Sequence, residues 1–468
     1  MKLTFYGAAQ SITGSKHLIE TEGFRILLDC GMHQGGLDHD LANRSLPFDP
    51  KTIDCVILSH AHADHCGLLP SLVAGGFRGK IYCTSATADI AKYILEDSAM
   101  VQQADERYAY EHGLNAYPVI YTRKQAEDVF RHFAPVSYFR LNPVWTQIND
   151  RIRFKFYDAG HILGSATTVL EIRDGGTVST LAYTGDLGSP NRPILNDPER
   201  IAESCGTLIC EATYGSKLHR PLNDAIAQMK EVVISAVRTR GKIIVPAFAL
   251  GRTQEIIYTM HKLTDEGSIP RIPIYTDSPL AQNISEVFLR HLEDFDANSR
   301  KDFTKKNELP LIFRNLIPIT SVAESKALNT RPGPFMVIAS SGMMEGGRIL
   351  HHLKNNLSDS KNTLLITGYQ AAHTLGRRLQ EGAKSVRIFG KPVPVAARII
   401  TMDEFSAHGD QAYLSSYIRS MAGLQKLFLV HTELPAAESL KQVLMQSSSH
   451  LEINIPKPLQ SFDITPKS

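Results

Sequence analysis

The segment ILSHAHADHCG places His60, His62, Asp64 and His65 within six residues, directly after an apolar run. Imidazole and carboxylate groups are common donors to divalent metal ions, and a polar loop seldom gathers four of them at this density. In an extended exit from a strand, residues two apart project to the same side. His60 and His62 can therefore reach one ion while Asp64 and His65 turn toward a second. Other apolar runs end in the same residue types: RILLD at Asp29, FYDAGH at His161, AYTGD at Asp186 and FLVH at His431. A lone His or Asp after a strand is ordinarily a turn or cap residue. Together, these endings imply one rim of one sheet system on which ligands converge. A donor set without thiolate suits zinc, with manganese or iron as alternatives. Cys66 follows His65 at the start of a helical segment and is assigned to packing.

The elements that must position these residues can be read from the runs around them. KLTFYG, HLIETEGFRILLD, DCVILS, KIYCT, RIRFKFYDAG, TVLEIR and TLAYTGD are short, rich in branched and aromatic residues, and bounded by Gly, Asp or Ser, as strands are. Between Cys83 and Asn142 the pattern turns helical. From about Thr207 to Lys384 the style changes to an apolar run, a Gly- or Ser-bearing loop, then a helical segment. TLICEATYG, KIIVPAFALGRTQE, PFMVIASSGMMEGG and TLLITGYQAAHTLGRRL follow this form of a parallel α/β layer. ARIITMDEFSAHG and LQKLFLVHTE return to the first style. The expectation is a discontinuous β-rich domain over residues 1–206 and 385–468, interrupted by an inserted α/β domain over 207–384. The closing residues, with Pro456, Pro458 and Pro466, read as a loose tail.

Composition excludes several classes. With 43% hydrophobic and 21% charged residues in 468, the chain is neither fibrous nor wholly disordered. A net charge of +2 neither demands nor excludes a polyanionic partner. Six cysteines without a C-x-x-C pair indicate a reducing compartment. No apolar stretch approaches the roughly 20 residues of a membrane helix, and the N-terminus lacks the pattern of a secretory leader. A cytoplasmic protein without a membrane partner is expected.

H-x-H-x-D-H followed by an isolated His and an isolated Asp resembles the signature of the metallo-β-lactamase superfamily, in order and spacing over residues 1–200. The resemblance implies a metallo-β-lactamase αββα sandwich. His60, His62 and His161 would hold one zinc, Asp64 and His65 the other, and Asp186 would bridge the two. A hydroxide shared by the ions would be the nucleophile, and Asp29 would orient the site from behind. ICEATYG with Glu211, EFSAHGD with His408 and LVHTE with His431 are similar to further motifs of the β-CASP branch. That branch comprises nucleic-acid processing nucleases such as RNase J and the endonuclease subunit of the cleavage and polyadenylation specificity factor. By resemblance, the insert is a β-CASP parallel α/β domain and His431 completes the second zinc. Asp64, His408 and Glu211 would serve catalysis, His408 protonating the leaving oxygen with Glu211 beside it. In this family a histidine at the place of His431 accompanies RNA substrates, so the expected activity is endo- or 5′ exonucleolytic cleavage of RNA by two Zn2+, with Mn2+ or Fe as substitutes. The products would be a 5′-phosphate and a 3′-hydroxyl.

Phosphate grip is expected from the insert. FALGRTQE, SSGMMEGGR and GYQAAHTLGRR put small residues at strand-to-helix junctions, where backbone N–H groups favour an anion. Arg252, Ser340, Ser341, His373 and Arg377 are the candidate side chains. Residues 361–400 hold seven basic residues (Lys361, Arg377, Arg378, Lys384, Arg387, Lys391, Arg398) against one acid, Glu381, which suits RNA contact. His373 and Thr432 stand where the family carries glycine. A homodimer or an RNA-processing complex is the expected setting. Competing readings are a non-catalytic RNA-binding or scaffolding subunit, against which every ligand position is filled, and a thioester or lactam hydrolase, whose open site the large insert would cover.

Overall fold

In the computed structural model, which describes residues 1–34, 41–113, 118–305, 309, 311–371, 373–402, 406–446 and 450–465, the β-rich runs form two seven-stranded sheets. The first runs in the order Ser461–Asp463, Lys2–Phe5, His17–Thr21, Phe24–Leu28, Cys55–Ile57, Lys80–Cys83, Phe133–Pro135. The second runs Glu452–Asn454, Lys426–Val430, Thr207–Glu211, Thr177–Tyr183, Ala166–Asp174, Ile152–Asp158, Thr146–Asn149. Side chains alternate across a strand, and the cores divide accordingly. Ile26, Leu28 and Ile57 meet Phe154, Phe156, Leu170, Tyr183 and Phe428 of the other sheet. Their neighbours Leu27, Val56 and Ile81 instead pack with Leu69, Leu72, Ala88 and Leu95 of helices Leu69–Ala74 and Ser85–Glu111. On the far side, Val169, Ala182, Leu208 and Leu429 pack with Leu414, Ile418, Ala437 and Leu440 of helices Gln411–Arg419 and Leu434–Met445. The result is an αββα sandwich. Each fully buried side chain of this size contributes about 1.5–3 kcal/mol, which makes the strand ends rigid supports for the polar residues beyond them.

The chain divides into two compact units, residues 1–190, 197–218 and 408–468 in one and 191–196 and 219–407 in the other. The second unit is built on a six-stranded sheet in the order Leu316–Pro318, Ile274–Asp277, Phe335–Ala339, Lys242–Pro246, Thr363–Ile366, Arg398–Thr401, with all pairs parallel. One of its faces buries Ile244, Tyr275, Val337 and Leu364 against Leu353, Leu357, Leu375 and Leu379. This is the parallel α/β layer expected of the insert.

Three details depart from the sequence reading. HLIETEGFRILLD is not one strand but a hairpin, turned at Glu22 and Gly23, whose φ of +74° glycine adopts without strain. TLICE, expected to open the insert, pairs in parallel with both Thr177–Tyr183 and Lys426–Val430 and so belongs to the sandwich. ARIIT, expected to lie beyond the insert, pairs with Thr363–Ile366 as the last strand of the insert's sheet. The unit boundaries therefore fall near 218 and 408, not at 207 and 385, because hydrogen-bond partners decide which sheet an apolar run joins. The closing residues are a further departure, since Ser461–Asp463 is not a loose tail but pairs with Lys2–Phe5 at the edge of the first sheet; Pro466 lies outside the described residues. No described helix is long and apolar enough to cross a membrane.

Candidate metal centre

The first unit carries the rim that the strand endings implied. Asp29 follows Phe24–Leu28, His60 lies just beyond Cys55–Ile57, and His161 just beyond Ile152–Asp158. Asp186 follows Thr177–Tyr183 and His431 follows Lys426–Val430. Asp29 (φ +59°) and His431 (φ +52°) turn sharply out of their strands in the left-handed region, a conformation of side-chain-bearing residues that concentrates at functional sites. The His431 N–H donates to Ala8 O at 2.7 Å, which holds that turn. Asp64 and His65 sit on the short helix Ala63–Cys66, whose approach is so close that a β-carbon on Gly31 would fall 1.6 Å from Asp64 O. Only glycine fits there.

Three overlapping groups of donor atoms result among the described residues, the third being Asp186, His408 and His431. His60, His62, His161 and Asp186 bring one atom each within 4.8 Å of one another, and so do Asp64, His65 and His431. In the first group His62 Nδ1 lies 3.1 Å from His60 Nε2 and 3.2 Å from His161 Nε2, and both Nε2 atoms are 3.5 Å from Asp186 Oδ2. In the second, His431 Nε2 lies 3.3 Å from Asp64 Oδ2, while the other Asp186 oxygen is 3.2 Å from His65 Nε2 and 3.5 Å from His431 Nδ1. Asp186 thus presents one oxygen to each group. His65 Nε2 and Asp186 Oδ1 are buried without a well-aligned hydrogen bond, although buried polar atoms are nearly always paired. Burial holds His60 and His161 well below the usual imidazole range and His62 at about 4, so all three rings are neutral and can donate a lone pair. Burial alone would raise Asp186, but His431, His65 and His60 hold it well below the carboxylate range. In the first group, neutral imidazoles converging on an ionised carboxylate fit a divalent cation; in the second, burial lowers His65 but Asp186 and Asp29 hold it well above the imidazole range, so it would release a proton on taking up an ion.

A supporting shell fixes the rings. Asp29, fully buried, accepts from Ser59 N (2.7 Å), Ser59 Oγ (2.7 Å) and Tyr183 OH (2.6 Å) and pairs with His65 Nδ1 (2.7 Å), which aims His65 Nε2 at Asp186. Thr213 Oγ1 lies 3.0 Å from His431 Nδ1 and donates to His431 O at 3.0 Å. Lys16, buried, donates to Gly14 O (2.9 Å) and Gly31 O (2.7 Å), tying together two loops that lean on the Asp64 helix. Ser59, Tyr183, Thr213 and Lys16 were not singled out in the sequence. Thr213 had a signal, since it lies two residues from Glu211 in the flagged EATYG run. Cys66 is buried in the core with its thiol donating to Ala61 O, consistent with packing, and all six cysteines are unpaired and buried.

Beside this centre, His408 Nδ1 lies 2.8 Å from Glu211 Oε1. Glu211 is fully buried and also accepts from Leu187 N (2.9 Å) and Thr213 N (3.0 Å). The His408 ring lies 4.6 Å from that of His161 and 5.7 Å from that of His431, centroid to centroid. Burial lowers an imidazole, yet the Glu211 carboxylate outweighs it and lifts His408 to about 9, so the ring is protonated at neutral pH. Glu404 and Phe405 of the EFSAHGD run lie outside the described residues. Thr432, fully buried, donates to Glu433 O.

In the second unit, the phosphate candidates fall at or after strand C-termini, where open parallel sheets receive ligands. Ser340 and Ser341 follow Phe335–Ala339, with Ser340 Oγ 3.1 Å from Ser278 Oγ and Ser341 Oγ 3.3 Å from Gly346 O. His373 is exposed, with φ +68°. Arg377, on helix Leu375–Gln380, pairs with Glu381 at 3.4 Å. Arg252 is buried against Glu255, which also takes Arg192. A third arginine escaped the sequence reading: Arg348 is paired with buried Asp277, which His352 and Ser325 also bond.

Comparison with known proteins agrees with this geometry. A model of the metallo-β-lactamase superfamily matches residues 15–247, one of the β-CASP domain matches 253–379, and one of the Zn-dependent metallo-hydrolase RNA specificity domain matches 392–456. Ribonuclease TTHA0252 of Thermus thermophilus is 36% identical over 92% of this chain and 93% of its own. The RNase J-like protein of Methanocaldococcus jannaschii is 34% identical over 92% of each chain. The transcription termination factor FttA of Methanosarcina mazei is 30% identical over 90% of this chain and 65% of its own. A solved protein of unknown function from Enterococcus faecalis V583 shares the fold at a TM-score of 0.54 and 14% identity, covering 98% of this chain and 99% of that one. The chain belongs to the metallo-β-lactamase superfamily and, within it, to the β-CASP ribonucleases, a family of metal-dependent hydrolases.

Proposed function

We propose that the protein hydrolyses RNA phosphodiester bonds with two zinc ions. His60, His62, His161 and Asp186 would hold one, and Asp64, His65, His431 and the second oxygen of Asp186 the other. The observation that carries this reading is the gathering of seven ligand-type side chains into two adjacent groups that share Asp186. When bound, two such cations lend Lewis acidity to a phosphoryl oxygen and acidify the water that attacks phosphorus.

The chain's own residues then manage the proton and the geometry. His408, kept protonated by Glu211, delivers its proton to the departing 3′ oxygen as the P–O3′ bond breaks, leaving a 5′-phosphate and a 3′-hydroxyl. Glu211, held by two backbone N–H donors, stays in place while His408 recovers a proton from solvent. Asp29 and Thr213 keep His65 and His431 from rotating. Ser340, Ser341, His373 and Arg377 would grip backbone phosphates, joined by Arg348, whereas Arg252 braces its loop through Glu255.

RNA substrate follows from the relatives' names, from the matched RNA specificity domain and from histidine at position 431. The test is cleavage of end-labelled RNA by the purified protein, with metal content measured alongside. Cleavage should stop with chelator and return with zinc. His65→Ala and Asp186→Ala should lose both activity and metal, whereas His408→Ala should lose activity and keep two ions. An inert protein with two ions bound, or equal metal loss in all three variants, would overturn the assignment.

A further inference from the structure

In the second unit, Phe248 lies in the loop between strand Lys242–Pro246 and helix Arg252–Asp265 and is 38% exposed. Its ring lies across Gly342: a β-carbon built there would come within 2.8 Å of Phe248 Cδ2, 2.9 Å of Cε2 and 3.1 Å of Cγ. One built on Gly368 would stand 3.8 Å from Cε2. The ring therefore has a bed of bare backbone, and this bed is itself fastened. Gln370 Nε2 donates to Gly342 O (3.0 Å) and Gly368 O (3.1 Å), drawing the two loops together beneath the ring. Gly376 makes room for that amide, since a β-carbon there would fall 1.6 Å from Gln370 Oε1. The Phe248 backbone is held as well, since Thr253 Oγ1 donates to Phe248 O at 2.7 Å.

The place is as informative as the construction. Phe248, Gly342 and Gly368 each follow the C-terminal end of a neighbouring parallel strand, on the edge that also carries the hydroxyls of Ser278, Ser340 and Ser341. An aromatic face on a rigid floor beside a row of small polar groups combines the two elements by which proteins hold single-stranded nucleic acid: stacking for a base and polar contacts for the backbone. From this arrangement we infer that Phe248 is a stacking platform for one base of the bound RNA strand. Stacking on a π-face is indifferent to base identity, so the platform would add affinity at a fixed nucleotide position without adding a sequence preference. This inference rests on the ribonuclease reading above and deepens it.

The test is an abasic scan on the zinc-loaded protein. A short RNA cut at one bond is prepared as a series, each member lacking the base of one nucleotide, and kcat and KM are measured for each. The wild type should show one position at which base removal raises KM by about fivefold or more while kcat holds, the size expected for a lost stacking contact. In Phe248→Leu, KM for the intact RNA should rise by a similar factor, and base removal at that position should cost nothing further. Phe248→Tyr and Phe248→Trp should restore the wild-type pattern. Gly342→Ala, which displaces the ring without changing it, should copy Phe248→Leu. If base removal at that position costs Phe248→Leu as much as it costs the wild type, or if no position is sensitive in the wild type, the platform is refuted while the ribonuclease reading stands. If the wild type cuts none of the RNAs, the ribonuclease reading itself has failed.

Discussion

Replacing Glu211 by Gln removes one negative charge while nearly preserving shape, and its consequence can be worked from the structure. Glu211 lifts His408 to about 9 against the opposing effect of burial. With a neutral carboxamide in its place, burial is opposed only by the lesser pull of Asp186 and Asp64, which bound cations would offset, so His408 should titrate near the ordinary imidazole value of about 6.5. At pH 7.5 the protonated fraction of His408 would fall from about 97% to about 9%, roughly a tenfold loss of rate if that proton goes to the leaving oxygen. The alkaline limb of the pH–rate profile should move toward acid by about 2.5 units, and activity near pH 5.5 should recover most of its wild-type value. Bound cations lower both titrations, so the separation between the two profiles is the quantity to read. The carboxamide must also set an N–H against either Leu187 N or Thr213 N, which costs about 1–3 kcal/mol of stability. Thermal unfolding checks that this loss leaves the protein folded at the assay temperature. Superimposable pH profiles for wild type and Glu211→Gln, with metal content unchanged, would refute the proton-donor role of His408.

Other perturbations test the supporting shell. Thr213→Val keeps the shape but removes the hydroxyl at His431 Nδ1, and should weaken one of two zinc-binding events by about 10- to 100-fold in a calorimetric titration while leaving the other unchanged. Gly31→Ala should destabilise the protein by at least about 1–3 kcal/mol in urea unfolding and reduce its metal content, because the new methyl group displaces Asp64 O. Lys16 is lowered by burial to about 8, below its ordinary 10.5, so between these values the unfolded chain binds the extra proton and the stability contributed by Lys16 rises with pH. The stability difference between wild type and Lys16→Met, measured by urea unfolding at pH 7 and pH 10.5, should therefore grow by up to about 3 kcal/mol toward alkaline pH.

Much of the gathered cluster was legible in the sequence because ligand-type residues have few other uses at that spacing. Four donors in six residues announce themselves, and His161, Asp186 and His431 were found by their shared place after an apolar run. Ser59 and Tyr183 left no such trace: a hydroxyl near a strand end is commonplace, and only the folded chain shows that each bonds Asp29. Buried Lys16 was hidden for a related reason, since a lysine just before a strand ordinarily points to solvent. The αββα layers and the parallel insert followed from strand style, but TLICE and ARIIT changed sheets because composition does not name a strand's hydrogen-bond partner. For Arg252 a warning was present, with Glu255 three residues later on the same helix, where the two side chains meet.

The most direct measurement is anomalous diffraction at the zinc edge from crystals of the zinc-loaded protein. Two peaks are expected, one among His60, His62 and His161 and the other among Asp64, His65 and His431, with an Asp186 oxygen on each. A single peak, or two peaks that these side chains do not touch, would contradict the two-ion centre.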